Sequence, residues 1–213
     1  MTGNPIRFLA LGDSYTVGEG VSADACWPVV VTRQLRASGI VIAHPDIVAV
    51  TGWTTDELAA GLDQATLHPP YDLVTLLIGV NNQYRGRDLA NYREEFAALL
   101  ARAIALAGDA RHVLGVSIPD WGVTRFAKAE KRDGARIGAE LDAFNAAAQQ
   151  MIEAANGAWV DITRVSRQCS DAPDMLADDG LHPSAMQYAL WAERIMPVAR
   201  TVLTRQALLA PGT

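Results

Sequence analysis

The chain has 213 residues, half of them apolar, which suits one domain with a sizeable buried core. Its net charge of -6 disfavours nucleic acid and anionic membrane as partners, because both require a basic surface. No apolar run approaches the ~20 residues of a membrane-spanning helix, and the N-terminal apolar stretch is too short for a signal-peptide core, so we expect a cytoplasmic chain without a membrane span.

Apolar runs alternate with helical patterns along the chain. In chain order, strands are predicted at residues 6–11, 46–50, 73–78, 112–118 and 158–162, and helices at 27–37, 54–62, 88–106, 133–155 and 184–203. Strands that are apolar throughout are typical of a parallel sheet covered on both faces. The repeated order predicts a three-layer α/β/α sandwich with five parallel strands, as one domain over residues 1–213. The long connections 119–132 and 163–183 are expected to form binding surfaces.

Four motifs lie in loops that this fold brings to one edge of the sheet, because the carboxyl ends of parallel strands share an edge. They are Gly12-Asp13-Ser14 after the first strand, Gly52 after the second, Gly79-Val80-Asn81-Asn82 after the third, and Asp179-Gly180-Leu181-His182 before the last helix. Singly, each has an ordinary interpretation as a helix cap, a turn residue or a structural histidine. Together they favour a hydrolytic site.

In this order the motifs resemble the SGNH hydrolase superfamily, also called the GDSL esterase/lipase family. The resemblance extends from Gly12 to the helix after His182. It implies a flavodoxin-like fold and hydrolysis of carboxylic esters through an acyl-enzyme on Ser14, with no cofactor. One position departs from the family pattern: Asn82 stands where Asp is common. The family uses the preceding Asn81, so this departure concerns supporting hydrogen bonds rather than the reaction.

A catalytic triad follows from the resemblance together with the chemistry of the residues. Ser14 is the nucleophile, and His182 is the base, because the ordinary pKa of histidine lies near neutral. A carboxylate must hold the imidazole in the correct tautomer. One turn through Gly180 can return the Asp179 side chain to His182. Asp178 is the rival, and the resemblance to the family favours Asp179 by its spacing. We expect Asp13 to brace the loop rather than react.

The resemblance also implies an oxyanion hole, formed by the backbone N–H groups of Ser14 and Gly52 and the side-chain amide of Asn81. Glycine at position 52 is consistent with a backbone that approaches the substrate closely. Four aromatic residues in nearby loops are candidates for lining an acyl or aryl pocket or for stacking on a sugar, with ordinary loop packing as the alternative. They are Trp53, Tyr84, Trp121 and Phe126.

The acyl and alcohol groups of the substrate stay open at this point. A compact chain without a lid-like domain predicts short-acyl esters. Thioesters and sugar acetates are alternatives, as is transfer of the acyl group to an alcohol other than water. A binding module without activity is a further alternative, which the complete triad disfavours.

Other kinds of site lack their sequence patterns. The chain has no Gly-x-Gly-x-x-Gly or Gly-Lys-Ser/Thr motif, and its four histidines show no metal-ligand spacing, so neither cofactor nor metal is expected. Cys26 and Cys169 are too far apart for a Cys-x-x-Cys site. Two separate buried thiols are the expectation, and a single bridge between them is the alternative.

Overall fold

One parallel sheet forms the centre of the protein. The computed structural model describes residues 4–168 and 172–209. Its strand order is β2-β1-β3-β4-β5, with every neighbouring pair parallel. The strands are β1 Phe8–Gly12, β2 Asp46–Ala49, β3 Leu73–Leu77, β4 Val113–Val116 and β5 Ala158–Val160. This order is that of flavodoxin-like folds, and it confirms the fold class predicted from the sequence.

Helices cover both faces of the sheet. In the described ranges they are α1 Ser14–Val17, α2 Trp27–Ala37, α3 Thr55–Gln64, α4 Val80–Tyr84, α5 Leu89–Ala107, α6 Arg125–Ala129, α7 Gly134–Ala154, α8 Thr163–Gln168 and α9 Ala185–Leu209. Single 3₁₀ turns lie at Ala110–His112, Trp121–Val123 and Pro173–Met175. Helices α2 and α9 pack together on one face, whereas α5 packs with α3 and α7 on the other. The result is the predicted three-layer sandwich.

Burial explains why the strands are mainly apolar. Every residue of β1, β3 and β4 is buried, because these strands have neighbours on both sides and helices on both faces. The edge strands β2 and β5 are only partly buried. The core therefore lies around the central strands, and their carboxyl ends are rigid platforms for the loops that follow.

The five long helices occur where the sequence predicts them, with ends that differ by a few residues. The short helices α1, α4, α6 and α8 were not predicted, because one or two turns are too short for helical periodicity to be recognised. Two of them lie in the long connections that were expected to be loops: α6 within 119–132 and α8 within 163–183.

Two further expectations concern the membrane and the cysteines. Across the described ranges, no helix combines the length and apolar character needed to cross a bilayer. Cys26 is a buried free thiol whose Sγ donates a hydrogen bond to the Ala23 carbonyl at 3.2 Å. Burial raises the pKa of this thiol. Cys169 lies outside the described residues.

Candidate active site

A cavity of about 230 Å³ lies at the carboxyl edge of the sheet. It brings together four residues predicted for the site: Ser14, Gly52, Asn81 and His182. Its remaining lining residues are mainly apolar or aromatic: Tyr15, Thr51, Val80, Tyr84, Trp121, Phe126 and Leu181. Residues that are up to 168 positions apart in the sequence thus border one small space.

The candidate nucleophile Ser14 begins helix α1 directly after strand β1. The preceding Asp13 caps this helix, and its Oδ1 accepts a hydrogen bond from the Tyr15 N–H at 3.0 Å. The Asp13 carbonyl accepts from the next two N–H groups, those of Thr16 and Val17. No acceptor among the described residues engages the Ser14 N–H, so this donor is available at the cavity.

Asp13 is fully buried beneath the nucleophile. Its second carboxylate oxygen, Oδ2, has no hydrogen-bond partner in the described part of the chain. This burial raises the pKa of Asp13 from its ordinary value of 3.8 to about 7, although the hydrogen bond from Tyr15 lowers it. The carboxyl group therefore caps the helix, as expected of a bracing residue, and gains its charge only near neutral pH.

His182 and Asp179 are held together by one tight turn. Nδ1 of His182 lies 2.6 Å from Oδ2 of Asp179, and Oδ1 of Asp179 accepts hydrogen bonds from the backbone N–H groups of Leu181 and His182. Partial burial acts to raise the pKa of Asp179, but these hydrogen bonds outweigh it and hold the pKa below its usual range. Gly180 adopts a φ of 69° within the turn. Asp178 is exposed and makes no described hydrogen bond to His182.

The imidazole is also fixed by the structure around it. The ring of Tyr15 packs against the His182 ring with 5.6 Å between centroids. The His182 carbonyl accepts a hydrogen bond from the Ala177 N–H at 2.8 Å, which closes the base of the turn. Helix α6 contributes a further contact, since the Phe126 N–H donates to the Gly180 carbonyl at 3.0 Å. Asp179 and His182 are therefore oriented before any substrate binds.

Gly52 lies in a reverse turn directly after β2. The Trp53 N–H donates to the Val50 carbonyl at 3.2 Å, and Gly52 has a φ of 89°. Positive φ at the third residue of such a turn favours glycine. No described residue accepts a hydrogen bond from the Gly52 N–H, so this second backbone donor is available as well.

Asn81 and Asn82 have different surroundings. Nδ2 of Asn81 donates to the Trp53 carbonyl at 2.9 Å, which leaves the second N–H of the amide for another acceptor. The side chain of Asn82 is fully buried; its Oδ1 accepts from the Thr55 N–H at 3.1 Å, and its Nδ2 donates to the Thr55 hydroxyl at 2.6 Å. Asn82 departs from the family pattern, in which Asp is common at this position, but it still forms supporting hydrogen bonds to Thr55.

Three of the four aromatic candidates line the cavity. Trp121 is buried between Tyr84, at 5.4 Å between ring centroids, and Phe126, at 6.3 Å, and its indole N–H donates to the Gln83 side chain at 2.8 Å. The fourth candidate, Trp53, does not line the cavity. Its ring lies where a side chain at Gly61 would have to be, so it packs on helix α3 instead. The sequence could not indicate this direction, because it depends on how the turn approaches α3.

A second, more polar groove of about 500 Å³ shares Tyr84 with the first cavity. Two of its charged side chains pair with each other: Arg136 donates to Glu140, which also accepts a hydrogen bond from Gln83. The guanidinium of Arg132 lies over both the Tyr84 and Trp121 rings, at 5.4 and 5.2 Å. Within the described ranges, no cluster of three or more His, Cys, Asp or Glu side chains could hold a metal ion.

Sequence reasoning missed several residues of the site. Tyr15 and Leu181 line the cavity next to predicted residues, so proximity in sequence could have indicated them. Arg85 lies outside the cavity but contacts its border, since its Nη2 donates to the Gly52 carbonyl at 2.7 Å. Its signal in the sequence is a spacing of four from Asn81, which places the two residues on one face of a helix too short to be predicted.

Comparison with known proteins gives the family. The profile of the GDSL-like lipase/acylhydrolase family matches residues 10–190, a span that contains all five candidate catalytic and oxyanion residues. The chain belongs to this family. A search of curated proteins found no significant match.

Several solved structures share the fold. TesA superposes with a TM-score of 0.72 at 19% identity, covering 92% of this chain and 99% of TesA. An acetyl xylan esterase from Geobacillus stearothermophilus, Axe2 with the substitution W215I, gives 0.72 at 18% identity, covering 92% and 95%. A lipase/acylhydrolase from Enterococcus faecalis gives 0.71 at 23% identity, covering 94% and 96%. The chain is therefore a GDSL hydrolase in fold and family.

Proposed function

We propose that this GDSL hydrolase is a serine esterase that cleaves short-acyl carboxylic esters through an acyl-enzyme on Ser14. One observation carries the proposal. A single small cavity is bordered by Ser14, by His182, which is already paired with a carboxylate, and by three N–H donors. The two backbone donors have no described partner, and the side-chain amide of Asn81 has one N–H left over. The one sheet and its continuous core support the further proposal that the chain is one catalytic domain.

In the proposed reaction, the Ser14 hydroxyl attacks the ester carbonyl carbon while Nε2 of His182 takes its proton. Asp179 accepts the hydrogen bond from Nδ1 and stabilises the imidazolium that forms. The N–H groups of Ser14, Gly52 and Asn81 stabilise the oxyanion of the tetrahedral intermediate. The intermediate collapses when His182 returns the proton to the leaving alcohol. Water then attacks the acyl-enzyme by the same steps, which releases the acid and regenerates Ser14.

The size and lining of the cavity support a short ester. A volume of about 230 Å³ holds roughly eight water-sized groups at ~30 Å³ each. The reacting ester group itself fills part of this space, so only a few acyl carbons remain between Val80, Trp121 and Phe126. The polar groove beyond Tyr84 would accommodate a polar alcohol part. A short acyl group on a polar alcohol is thus the proposed substrate class.

The test is hydrolysis of a nitrophenyl ester series from acetate to palmitate by the parent protein, Ser14→Ala and the control Ser22→Ala. Ser22 is exposed and does not line the cavity, and its hydroxyl donates to Asp24. We expect the highest kcat/KM at short chain length, a loss of at least ~1000-fold in Ser14→Ala and no loss in Ser22→Ala. Activity of Ser14→Ala within tenfold of the parent would exclude the proposed nucleophile. Adding an alcohol acceptor separates hydrolysis from acyl transfer.

A further inference from the structure

Arg85, at the end of helix α4, contacts the turn that carries a proposed oxyanion donor. We propose that Arg85 is a positioning residue that holds the Gly52 carbonyl, restricts rotation about the φ and ψ bonds of Gly52, and thereby keeps the Gly52 N–H of the preceding peptide aimed at the oxyanion. This inference rests on the proposed esterase function. Arg85 does not itself line the cavity, so it acts through the turn rather than on the substrate.

The contacts form a bridge. Nη2 of Arg85 donates to the Gly52 carbonyl at 2.7 Å, and Nη1 lies 3.2 and 3.3 Å from the two carboxylate oxygens of Glu57. Glu57 is itself anchored, because its Oε2 accepts hydrogen bonds from the backbone N–H and hydroxyl of Thr54, the cap of helix α3. The guanidinium thus links the Gly52 carbonyl to the fixed N-terminus of α3.

One face of helix α4 holds two successive carbonyls of the turn. Asn81 and Arg85 are four residues apart, which places their side chains on the same face of a helix. Asn81 binds the Trp53 carbonyl and Arg85 binds the Gly52 carbonyl. Because Asn81 is also a proposed oxyanion donor, this helix sets the position of the side-chain donor relative to the backbone donor.

The turn needs such an anchor because glycine permits many backbone conformations. Beyond its chain neighbours, the nearest atom to the place where a Gly52 Cβ would lie is Nη2 of Arg85, at 3.9 Å. Among the described residues, no other atom outside the chain neighbours comes within 4 Å of this point, and the Gly52–Trp53 peptide is also held by the hydrogen bond from the Trp53 N–H to the Val50 carbonyl. A second tether lies one residue earlier, where the Thr51 hydroxyl donates to Glu19. Loss of Arg85 should therefore loosen the Gly52 N–H without dismantling the turn.

The experiment compares Arg85→Met with Arg102→Met on a short-acyl nitrophenyl ester. Arg102 is a matched control: it also bridges a backbone carbonyl, that of Ala59, and a carboxylate, that of Asp63, with 36% of its side chain exposed against 44% for Arg85. It lies away from the cavity. Both variants lose one guanidinium bridge, but only Arg85→Met changes the proposed oxyanion hole.

We expect Arg85→Met to lower kcat by ~10- to 100-fold, less than the 10²–10³ typical of removing a donor outright, with KM within about twofold. Affinity for a boronic acid that forms a tetrahedral adduct with Ser14 should fall in parallel. Arg85→Lys should recover part of kcat, because an ammonium can still donate to one carbonyl. Arg102→Met should leave kcat, KM and boronate affinity unchanged.

An unchanged kcat in Arg85→Met would overturn the inference, as would an equal loss in Arg102→Met. Glu57→Gln provides a second variant if Arg85→Met does not fold, since glutamine keeps the cap of α3 and weakens only the anchor of Arg85. Glu57→Gln should also lower kcat, by a smaller factor than Arg85→Met. An unchanged kcat in Glu57→Gln would also refute the inference. A parent protein inactive on the whole ester series would instead overturn the esterase proposal and this inference with it.

Discussion

The Asp13 carboxyl group should lower the free energy of unfolding as the pH rises from 5 to 8. Replacing Asp13 with Asn should abolish most of this loss. The pKa of Asp13 is raised by burial from 3.8 to about 7. Between these values the folded protein keeps a proton that the unfolded chain has released. The free energy of unfolding therefore falls as pH rises through this window and levels off above pH 7.

The magnitude follows from the width of the window. Each pH unit within it is worth about 1.4 kcal/mol at 25 °C. From pH 5 to pH 7 this amounts to about 3 kcal/mol, which corresponds to a fall of roughly 6–12 °C in Tm for a chain of this size. Asparagine keeps the helix cap, because its side-chain oxygen can accept the Tyr15 N–H as Asp13 does. It cannot ionise, so the variant should lack this part of the pH dependence.

Urea unfolding of the parent and Asp13→Asn at pH 5, 6, 7 and 8, followed by circular dichroism, measures the effect. The quantity compared is the change in the free energy of unfolding between two pH values in each protein. The cost of burying the amide is the same at both pH values and cancels, and the contributions of all other titrating groups are common to the two proteins. Asp88→Asn is the control, because Asp88 is an exposed helix cap that accepts from the Asn91 N–H. Its profile should follow the parent. Parallel profiles for the parent and Asp13→Asn would refute the argument that burial controls this carboxyl group.

Two further predictions concern the oxyanion hole and the acid of the triad. Asn81→Ala should lower kcat by roughly a hundredfold or more with little change in KM, since its amide would act mainly in the transition state. Asn82→Ala should mainly lower thermal stability, with a smaller effect on kcat, because Asn82 is buried among supporting hydrogen bonds. An equal loss of kcat in both variants would contradict this assignment. Asp179→Asn should remove most of kcat/KM on a short-acyl nitrophenyl ester, because the carboxylate that orients His182 is lost, whereas Asp178→Asn should not. The opposite order of losses in the two variants would assign the acid to Asp178.

The strands, the long helices and the loops of the candidate site could be predicted from the sequence. These features are local. A run such as Leu73–Leu77 is mainly apolar because both faces of its strand are covered, and Gly52 shortly after a strand marks a turn. Asp179 lies within one turn of His182, so their contact needs only three residues of chain. Patterns of this length can be read without knowing what packs against them.

Contacts between elements that are distant in the chain could not be predicted and depend on the complete fold. Asn82 binds Thr55, 27 residues away, and Arg85 binds the Gly52 carbonyl, 33 residues away. The complete burial of Asp13, which raises its pKa, likewise results from packing of the whole domain around β1. Trp53 packs on α3 rather than into the cavity for the same reason. A side chain's direction and solvation depend on which elements enclose it, and that information arises only when the helices close over the sheet.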